Sequence, residues 1–406
     1  MQILYFSPRE CWPLNTGARL RDYHLARQLA REASVTYLGL YPHNQPPVAF
    51  YAAEHGFARA IALRRERAYS PGNLLRGMLG PDPVTVLNYW SPSIAAALEQ
   101  LLRSQSFDTV QIEGVHLIRY LPLLRTLAPS AAIVADWHNI ESEILRRYAE
   151  TSSSGPRAWL ARRTAQLVER AEGRLLRGAD VQTLASDRER EKLARLYPEA
   201  RLYTVTNGVD VGYYRETAEQ NQLDSAWTDV IFVGSMDYHA NVDAIQWMVR
   251  EVWPEVKRHC PDLHLRVVGR NPGPEVRSLA AADIEITGTV EDVRPFYRNA
   301  RAVVAPLRVG SGTRLKILEA MAAGVPVVST PLGAEGLNVR DGADILLSDT
   351  PAGFADCIAA LEAGIVRRRL VQAALELVEK QYDWLQIGAQ MLEIHREAAR
   401  WRRAAA

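Results

Sequence analysis

The feature that most constrains this chain is an alternation of short apolar strands and amphipathic helices that runs through it twice. Gln2–Phe6 and Ser34–Tyr41 are apolar enough for buried strands, and Arg19–Glu32 between them has a helical spacing of leucines. A strand, a helix and a second strand form a βαβ unit, which requires a parallel sheet. The pattern restarts with the strand Asp229–Val233. The sequence therefore predicts two doubly wound α/β domains.

The length agrees with this division, because 406 residues exceed the roughly 250–300 residues at which single cores stop growing. The turn tetrapeptide Asn207–Asp210 follows a predicted strand and marks the break. Ligands of doubly wound sheets bind outside the carboxyl ends of the strands. We therefore expect a cleft between the two domains.

Charge and missing motifs exclude several classes of protein. With 48 Lys and Arg against 47 Asp and Glu, the net charge of +1 argues against nucleic-acid binding. There is no GxGxxG after the first strand, no P-loop, no HExxH and no GxSxG, and the histidines do not cluster. We predict no bound metal and no dinucleotide. Three scattered cysteines and no apolar run of 18 residues indicate a cytoplasmic protein without a membrane span.

The most informative stretch is VGSGTRLKILEAMAAGVPVVS, residues 309–329, in which a glycine-rich loop leads into a helix over about Thr313–Ala323. The first N–H groups of a helix lack intrahelical partners and attract anions. Arg314 and Lys316 add positive charge there, and Glu319 suits the two hydroxyl donors of a ribose. Together these features describe a nucleoside diphosphate site. The alternative is an exposed charged face on an ordinary helix.

This stretch resembles the retaining GT-B glycosyltransferases of family 4, the group 1 glycosyl transferases, in a branch associated with bacterial exopolysaccharide systems. The resemblance implies two Rossmann-like doubly wound domains facing a central cleft. The family carries a Glu-x7-Glu motif whose second Glu binds the ribose, and Glu319 matches that position. The first Glu is replaced here by Ser311.

Further matches cover most of the chain and imply its domain limits. Asn207–Asp210 resembles the interdomain NGVD turn, and the Asp383–Trp384 helix resembles the helix that crosses back to the first domain. The implied divisions are an acceptor-binding domain over 1–206, a nucleotide-sugar-binding domain over 207–380, and a crossing helix over 381–406.

The resemblance also implies a set of donor-binding residues. An Arg and Lys pair that follows the first glycine in many members is absent here, and Arg314 and Lys316 would replace its charge. The donor-binding residues implied by the resemblance and by the helix start are Gly17, Gly234, Ser235, Gly269, Arg270, Gly312, Thr313, Arg314, Lys316 and Glu319.

Two residues of the first domain are candidates for the transfer site. Some relatives place a histidine near the sugar after a strand, and His138 follows the predicted strand Ala131–Asp136. Glu113 ends the strand Thr109–Glu113 at the same sheet edge. The alternatives are a structural histidine, and a helix cap or salt bridge for Glu113. Asp136 is predicted to be a turn or capping residue.

The first domain has the charge expected for a phosphorylated or membrane-bound acceptor. Residues 1–200 carry a net charge of +5, from 25 basic and 20 acidic side chains. Arg64–Arg67, Leu74–Leu79 and Arg146–Arg177 combine basic and apolar residues, which suits a peripheral membrane contact. The alternative is a solvated arginine-rich face.

Together with the predicted anion and ribose site, the resemblance implies a retaining, metal-independent glycosyltransferase without a bound cofactor. Its donor would be a nucleotide-diphosphate sugar of UDP or GDP type, and its acceptor a glycan, a lipid-linked molecule or a small molecule. We expect it to act in bacterial surface or exopolysaccharide assembly, in the cytoplasm or on the inner face of the cell membrane. The alternatives are a sugar-nucleotide epimerase of the same fold and a catalytically silent partner subunit.

Overall fold

The computed structural model describes residues 1–151, 155–221, 227–310 and 314–405. These residues form two compact units, one of residues 1–206 and 387–406 and the other of residues 207–386. The chain thus passes from the first unit to the second between Thr206 and Asn207.

The first unit is built on a seven-stranded, all-parallel sheet. Its strands are β1 (Gln2–Ser7), β2 (Ser34–Tyr41), β3 (Arg59–Arg64), β4 (Thr109–Glu113), β5 (Ala132–Trp137), β6 (Val181–Leu184) and β7 (Leu202–Thr204). Its helices are α1 (Gly17–Leu29), α2 (Pro71–Leu79), α3 (Val84–Leu87), α4 (Pro92–Ser104), α5 (Leu121–Leu127), α6 (Glu141–Thr151), α7 (Pro156–Gly178) and α8 (Asp187–Leu196), with 3₁₀ turns at Ala52–His55 and Val115–Tyr120.

The second unit repeats this plan with a six-stranded parallel sheet. Its strands are β8 (Asp229–Val233), β9 (His264–Val268), β10 (Ile284–Gly288), β11 (Ala300–Ala305), β12 (Val327–Ser329) and β13 (Leu346–Leu347). Its helices are α9 (Val211–Asn221), α10 (His239–Trp247), α11 (Trp253–His259), α12 (Pro274–Arg277), α13 (Arg294–Tyr297), α14 (Leu315–Ala322), α15 (Pro351–Ala360) and α16 (Gly364–Leu377), with π-helical turns at Met248–Val252 and Val378–Tyr382. A last helix, α17, spans Trp384–Ala405.

The strand orders confirm the predicted doubly wound fold in both halves. They are β3-β2-β1-β4-β5-β6-β7 in the first unit and β10-β9-β8-β11-β12-β13 in the second. In each sheet the first strand of the unit, β1 or β8, lies inside the sheet. The next two strands of the chain extend the sheet on one side of it, and the later strands extend it on the other side. This is the doubly wound pattern, and it is why β1 and β8 are nearly free of exposed residues.

The helix in the most informative stretch begins later than predicted, at Leu315, and ends as the sequence indicates. Gly324 has a φ of +70°, and the N–H of Val325 bonds to the carbonyl of Ala320 at 3.0 Å. This is a Schellman end, in which glycine takes the left-handed conformation at low cost. The predicted segment ahead of it, Ser311–Thr313, lies outside the described residues.

Helix α17 packs closely against the first unit over most of its length. A Cβ on Gly388 would overlap the side chain of Gln28 on α1, so glycine is needed for this approach. Farther along, the amide of Gln390 donates to the carbonyl of Thr204 at 2.9 Å, and Arg402 donates to the carbonyl of Pro129 at 2.8 Å. The end of the chain is therefore an integral layer of the first unit.

Candidate functional site

Polar side chains gather at the carboxyl ends of the strands in both units, around the point where the strand order reverses. In the first unit this point lies between β1 and β4, and in the second between β8 and β11. Doubly wound sheets bind ligands at such points, because two loops diverge there and leave a crevice. Each unit therefore has one candidate site.

The first site is centred on His138, directly after β5. Its Nε2 lies 3.0 Å from Oδ1 of Asp22 and 3.0 Å from Oε2 of Glu113. Burial disfavours a charged imidazole, but the hydrogen bonds to the two carboxylates outweigh it and raise the pKa of His138 to about 9. The ring therefore carries a positive charge at neutral pH, and its side chain stays 15% exposed.

Asp22 is the residue that sequence reasoning missed in this site. Besides His138, its carboxylate accepts hydrogen bonds from Ser7 Oγ at 2.7 Å and from Arg9 at 3.1 Å. Burial opposes its charge, yet the Arg9 guanidinium and His138 hold the pKa of Asp22 below its usual value. A signal was present in the sequence, because Asp22 lies three residues before Leu25, on the apolar face of α1.

Glu113 lies where the sequence predicts it, at the end of β4, and is fully buried. It caps no helix and instead contacts His138, and its other oxygen accepts from the amide of Gln111 at 2.6 Å. Burial and the neighbouring carboxylates of Asp136 and Asp22 raise the pKa of Glu113. The structure thus brings the two candidate residues of the first domain into direct contact.

The prediction that Asp136 is a turn or capping residue is wrong. Asp136 lies inside β5 with no exposed surface and receives two hydrogen bonds of 2.7 Å from the buried guanidinium of Arg21. Arg21 also donates to the carbonyls of Val205 and Thr206, at 2.8 and 3.0 Å. A charge this deep persists only when it is paired and hydrogen-bonded, and α1 supplies the partner.

The sequence shows no cluster of histidines with other residues that could bind a metal, but the fold brings three such residues together. Among the described residues, Asp22, Glu113 and His138 bring potential ligand atoms within 4.8 Å of one another. However, Nε2 of His138 already lies at hydrogen-bonding distance from both carboxylates, and the guanidinium of Arg9 lies 3.3 Å from it. A metal ion would meet that positive charge directly. The arrangement therefore suits a hydrogen-bonded ion cluster better than a metal centre.

The second site begins with two glycines, Gly234 after β8 and Gly269 after β9. A Cβ on Gly269 would overlap the carbonyl oxygen of Gly234, and a Cβ on Gly234 would lie 3.0 Å from Nζ of Lys316. Gly269 is therefore needed for the close approach of its loop to the backbone of Gly234, and a side chain at position 234 would displace Lys316. The structure brings these two predicted residues together with Lys316.

Ser235 and Arg270 extend this loop pair. Nε of Arg270 donates to Oγ of Ser235 at 3.0 Å, and Oγ of Ser235 donates to Asp237 at 3.1 Å. Asn271 donates to the same carboxylate at 2.9 Å from a left-handed backbone conformation, with φ of +53°. The side chains of Ser235 and Arg270 are thus held by each other and by an acidic neighbour.

Lys316 faces this loop pair from α14, and Glu319 lies three residues later on the same helix. Nζ of Lys316 donates to Asn241 at 2.9 Å and lies 4.2 Å from the ring centre of Phe232. Burial, with repulsion from Arg314, lowers the pKa of Lys316 to about 7. Burial likewise raises the pKa of Glu319 to about 7. Among the described residues, the Glu319 carboxylate accepts no hydrogen bond and forms no ion pair.

The remaining predicted donor-binding residues have different outcomes. Arg314 is buried directly before α14, and burial lowers its pKa. Gly17 is the first residue of α1, after the cap Thr16, and is exposed in the first unit. Gly312 and Thr313 lie outside the described residues.

Comparison with known proteins gives a family match within the second unit. Residues 228–363, which contain the second site, match the family described as "Glycosyl transferases group 1". The chain is also 30% identical over 207 residues to "Phosphatidyl-myo-inositol mannosyltransferase" of Mycobacterium tuberculosis H37Rv, covering 48% of this chain and 54% of that protein. The chain thus matches about half the length of the curated relatives it resembles. The second unit therefore carries a group 1 glycosyl transferase domain.

Solved structures resemble the whole chain. Sucrose-phosphate synthase from Thermosynechococcus elongatus superposes with a TM-score of 0.70 at 17% identity, covering 100% of both chains. The Anabaena protein Alr3699/HepE, in complex with UDP and glucose, superposes with a TM-score of 0.63 at 15% identity, covering 98% of this chain and 100% of that one. These matches show that the chain has the GT-B fold of two Rossmann-like domains. No helix in the described part of the chain has the length and apolar character to span a bilayer.

Proposed function

We propose that the protein is a retaining glycosyltransferase that moves a sugar from a nucleotide-diphosphate donor to a hydroxyl acceptor. The observation that carries this proposal is that Lys316 and Glu319 lie three residues apart near the start of α14. Burial works against the charge of both groups, and neither ion-pairs with the other among the described residues. A ligand with an anionic part and a pair of hydroxyl donors would satisfy both groups at once.

A nucleoside diphosphate has this pattern of groups. Its phosphates would lie at the first N–H groups of α14 with Lys316 and Arg314, and its ribose diol would donate to Glu319. Gly234, Ser235, Gly269 and Arg270 would line the donor, with Gly312, Thr313 and Gly17 as further contacts. We propose a UDP or GDP sugar, since the Anabaena neighbour was solved with UDP and glucose.

In the first unit, His138 would hold a hydroxyl of the donor sugar or of the acceptor. With a pKa of about 9 it is already protonated at neutral pH, so it can donate a hydrogen bond but is poorly suited to remove a proton. Glu113 would keep the imidazolium in place. A phosphate oxygen of the donor would then accept the acceptor proton, which is compatible with retention.

We also propose that transfer needs no metal ion, because cationic side chains and a helix start are available to stabilise the leaving diphosphate. Transfer, or donor turnover without acceptor, should therefore continue at an unchanged rate in excess EDTA. A loss of activity that Mg²⁺ or Mn²⁺ restores would contradict this part of the proposal.

The acceptor would be a glycan, a lipid-linked molecule or a small molecule used in surface or exopolysaccharide assembly, reached by peripheral contact with the inner membrane face. Helix α2 supports this contact: it has no buried residue, and Leu74, Leu75, Met78 and Leu79 are all exposed. Gly77 instead lies against Val84, so the apolar side faces outward. An outward apolar helix with exposed arginines nearby is typical of binding to an anionic lipid surface.

Sedimentation with lipid vesicles tests this contact. Vesicles rich in phosphatidylglycerol should retain the protein, and changing Leu75 and Leu79 to Ser should release it. Leu196→Ser is the matched control, since Leu196 is equally exposed on α8. Equal binding to zwitterionic vesicles, or equal loss in the control, would contradict the membrane assignment. Self-association through α2, seen by gel filtration, would point to a protein partner instead.

The main experiment is a thermal-shift screen with UDP, GDP, ADP and TDP and their sugars. One nucleotide should raise the melting temperature, and Glu319→Ala should remove that rise. Glu376→Ala, at an exposed glutamate of α16, should not. Stabilisation that survives in Glu319→Ala would overturn the ribose assignment.

Two other functions are separated by the same set of ligands. A silent partner subunit is favoured by Ser311 in place of the first Glu of the motif, and it would bind no nucleotide even at millimolar concentration. An epimerase would convert the stabilising UDP sugar to an isomer without any acceptor. A transferase requires the acceptor for turnover to a glycosylated product.

A further inference from the structure

The central strand of the first sheet carries a polar stripe that the proposed chemistry does not by itself explain. Thr109, Gln111 and Glu113 alternate along β4 and so point to the same face of the sheet. All three are fully buried, although a buried polar side chain is costly unless it is hydrogen-bonded. Some other element must therefore complete their hydrogen bonds.

That element is α17, through His395. Nδ1 of His395 lies 2.8 Å from Oγ1 of Thr109, and Nε2 lies 2.8 Å from Oε1 of Gln111. Gln111 donates in turn to Oε1 of Glu113 at 2.6 Å, and Oε2 of Glu113 contacts His138 at 3.0 Å. A continuous line of hydrogen bonds thus joins the end of the chain to the first site.

The direction of each bond follows from the amide of Gln111. Its nitrogen donates to Glu113, so its oxygen must accept, and Nε2 of His395 must carry the proton. Nδ1 of His395 is then the acceptor for the hydroxyl of Thr109. Burial lowers the pKa of His395 to about 3, so the ring is neutral and has one proton to place. The line allows one arrangement in which Glu113 accepts at both oxygens.

We propose that His395 is a positioning residue that acts through Gln111 to keep Glu113 as the hydrogen-bond acceptor of His138. Without the donor at Nε2, the Gln111 amide could turn over and present its oxygen to Glu113. That contact favours a protonated Glu113, which no longer attracts the charge on His138. This inference rests on the proposed function for its catalytic meaning, but its structural content does not depend on any substrate.

Several titratable groups face His138, and the test must leave them in place. They are Arg9 after β1, Asp22 on α1, Glu113 on β4, His116 after β4, Asp136 on β5 and Glu141 at the start of α6. None of them accepts or donates a hydrogen bond to His395 among the described residues. A change at residue 395 can therefore be separated from a change in these groups.

The first measurement is the tautomer of His395 in the full-length protein, by NMR with ¹⁵N- and ¹³C-labelled histidine. Comparison with His395→Gln assigns the signals. We expect a proton on Nε2, none on Nδ1, and no titration of this ring between pH 5 and pH 9. A proton on Nδ1, or titration near the usual histidine pKa of about 6.5, would overturn the proposal.

The second measurement is the pKa of His138 in the same spectra. His395→Leu should lower it by about one unit, since one hydrogen bond to a charged group is worth roughly that much. His395→Gln should restore much of the difference, because its amide N–H can replace Nε2. Ile394→Ala is the matched control, which removes buried packing from the same helix turn without touching the line.

If His395→Leu does not fold, Gln111→Met interrupts the same line from β4 and should lower the pKa of His138 similarly. An unchanged His138 pKa in these variants, or an equal shift in Ile394→Ala, would show that α17 only packs against the sheet. Neither measurement involves a nucleotide. The role of His395 and donor binding by the second site can therefore each fail without affecting the other.

Discussion

The two candidate sites lie at equivalent places in two sheets of the same type of strand order. Their charged groups differ in whether they have partners of opposite charge within the protein. In the first site, Asp22 and Asp136 each contact an arginine, and His138 is held between two carboxylates. In the second, Lys316 and Glu319 share one helix, and within the described residues no ion pair relieves either charge. The first site is completed by the protein itself, whereas the second is suited to completion by a ligand.

This contrast shows that charged groups in buried and in half-buried surroundings can have two different roles. A paired cluster preserves its geometry with or without a ligand, so it can orient a reacting group in advance. A charge that burial disfavours is destabilising until a ligand arrives, and part of the binding free energy then comes from relieving it. If this difference is real, mutations and changes of pH should affect the two sites in different ways.

The largest effect is expected at the ion pair of Arg21 and Asp136. Asp136→Ala leaves a buried guanidinium without its partner, which should lower the free energy of unfolding by about 3–5 kcal/mol. Urea denaturation followed by circular dichroism measures the loss. Glu99→Ala, which breaks an exposed pair with Arg103, should cost less than about 1 kcal/mol. Equal costs would show that the first site is not held by buried charge.

A pH-dependent effect is expected from His138. Its pKa is about 9 in the folded protein and about 6.5 when unfolded, so its contribution is fully present below pH 6.5 and is lost as the pH rises to 9. His138→Gln should remove about 3 kcal/mol of stability at pH 6 and much less at pH 9. His239→Gln, at an exposed histidine of α10, is the control. A parallel loss at both pH values would mean that His138 is not charged in the fold.

In the second site, removing the charged group should stabilise the ligand-free protein, whereas removing His138 destabilises it. Burial raises the pKa of Glu319 to about 7, so ionisation costs stability as the pH rises from about 4.5 to 7. Glu319→Gln should therefore make the ligand-free protein about 3 kcal/mol more stable at pH 8 and leave it nearly unchanged at pH 4.5. Glu376→Gln serves as the control. Destabilisation at pH 8 would instead show that the Glu319 charge is stabilised within the protein, as the charge of Asp136 is.

The smallest effect concerns protons exchanged when UDP binds at pH 7. A diphosphate favours the charged form of Lys316, so the lysine takes up about half a proton, and a ribose diol favours ionised Glu319, which releases about half. The wild type should exchange almost none, Glu319→Gln should take up protons, and Lys316→Met should release them. Calorimetry in buffers of different ionisation enthalpy measures these numbers, and identical values in all three proteins would contradict the assignment.

Both sheets are predictable from the sequence because their strands are short apolar runs between turn residues, and the predicted Ser34–Tyr41 and Asp229–Val233 match β2 and β8 residue for residue. The edge strand β3 is not predicted, since its alternating Arg59–Arg64 also suits a surface segment. Lys316 and Glu319 could be predicted as site residues because one short sequence motif contains both.

The rest of the first site depends on contacts between distant parts of the chain. Asp22 and Glu113 are 91 positions apart, and His395 meets Gln111 across 284 positions. Sequence periodicity reports which face of an element is apolar, but it does not report which polar groups meet after folding. The stripe on β4 even suggests a half-exposed strand, because TVQIE alternates polar and apolar residues.

The hydrogen bond from His395 to Gln111 has a practical consequence for dissecting this molecule. An expression vector that stops at Thr206 would yield a first unit without α17, with the face bearing Thr109 and Gln111 uncovered and Gln28 without its contact to Gly388. A faithful excised version would have to splice residues 387–406 back by a linker or by circular permutation.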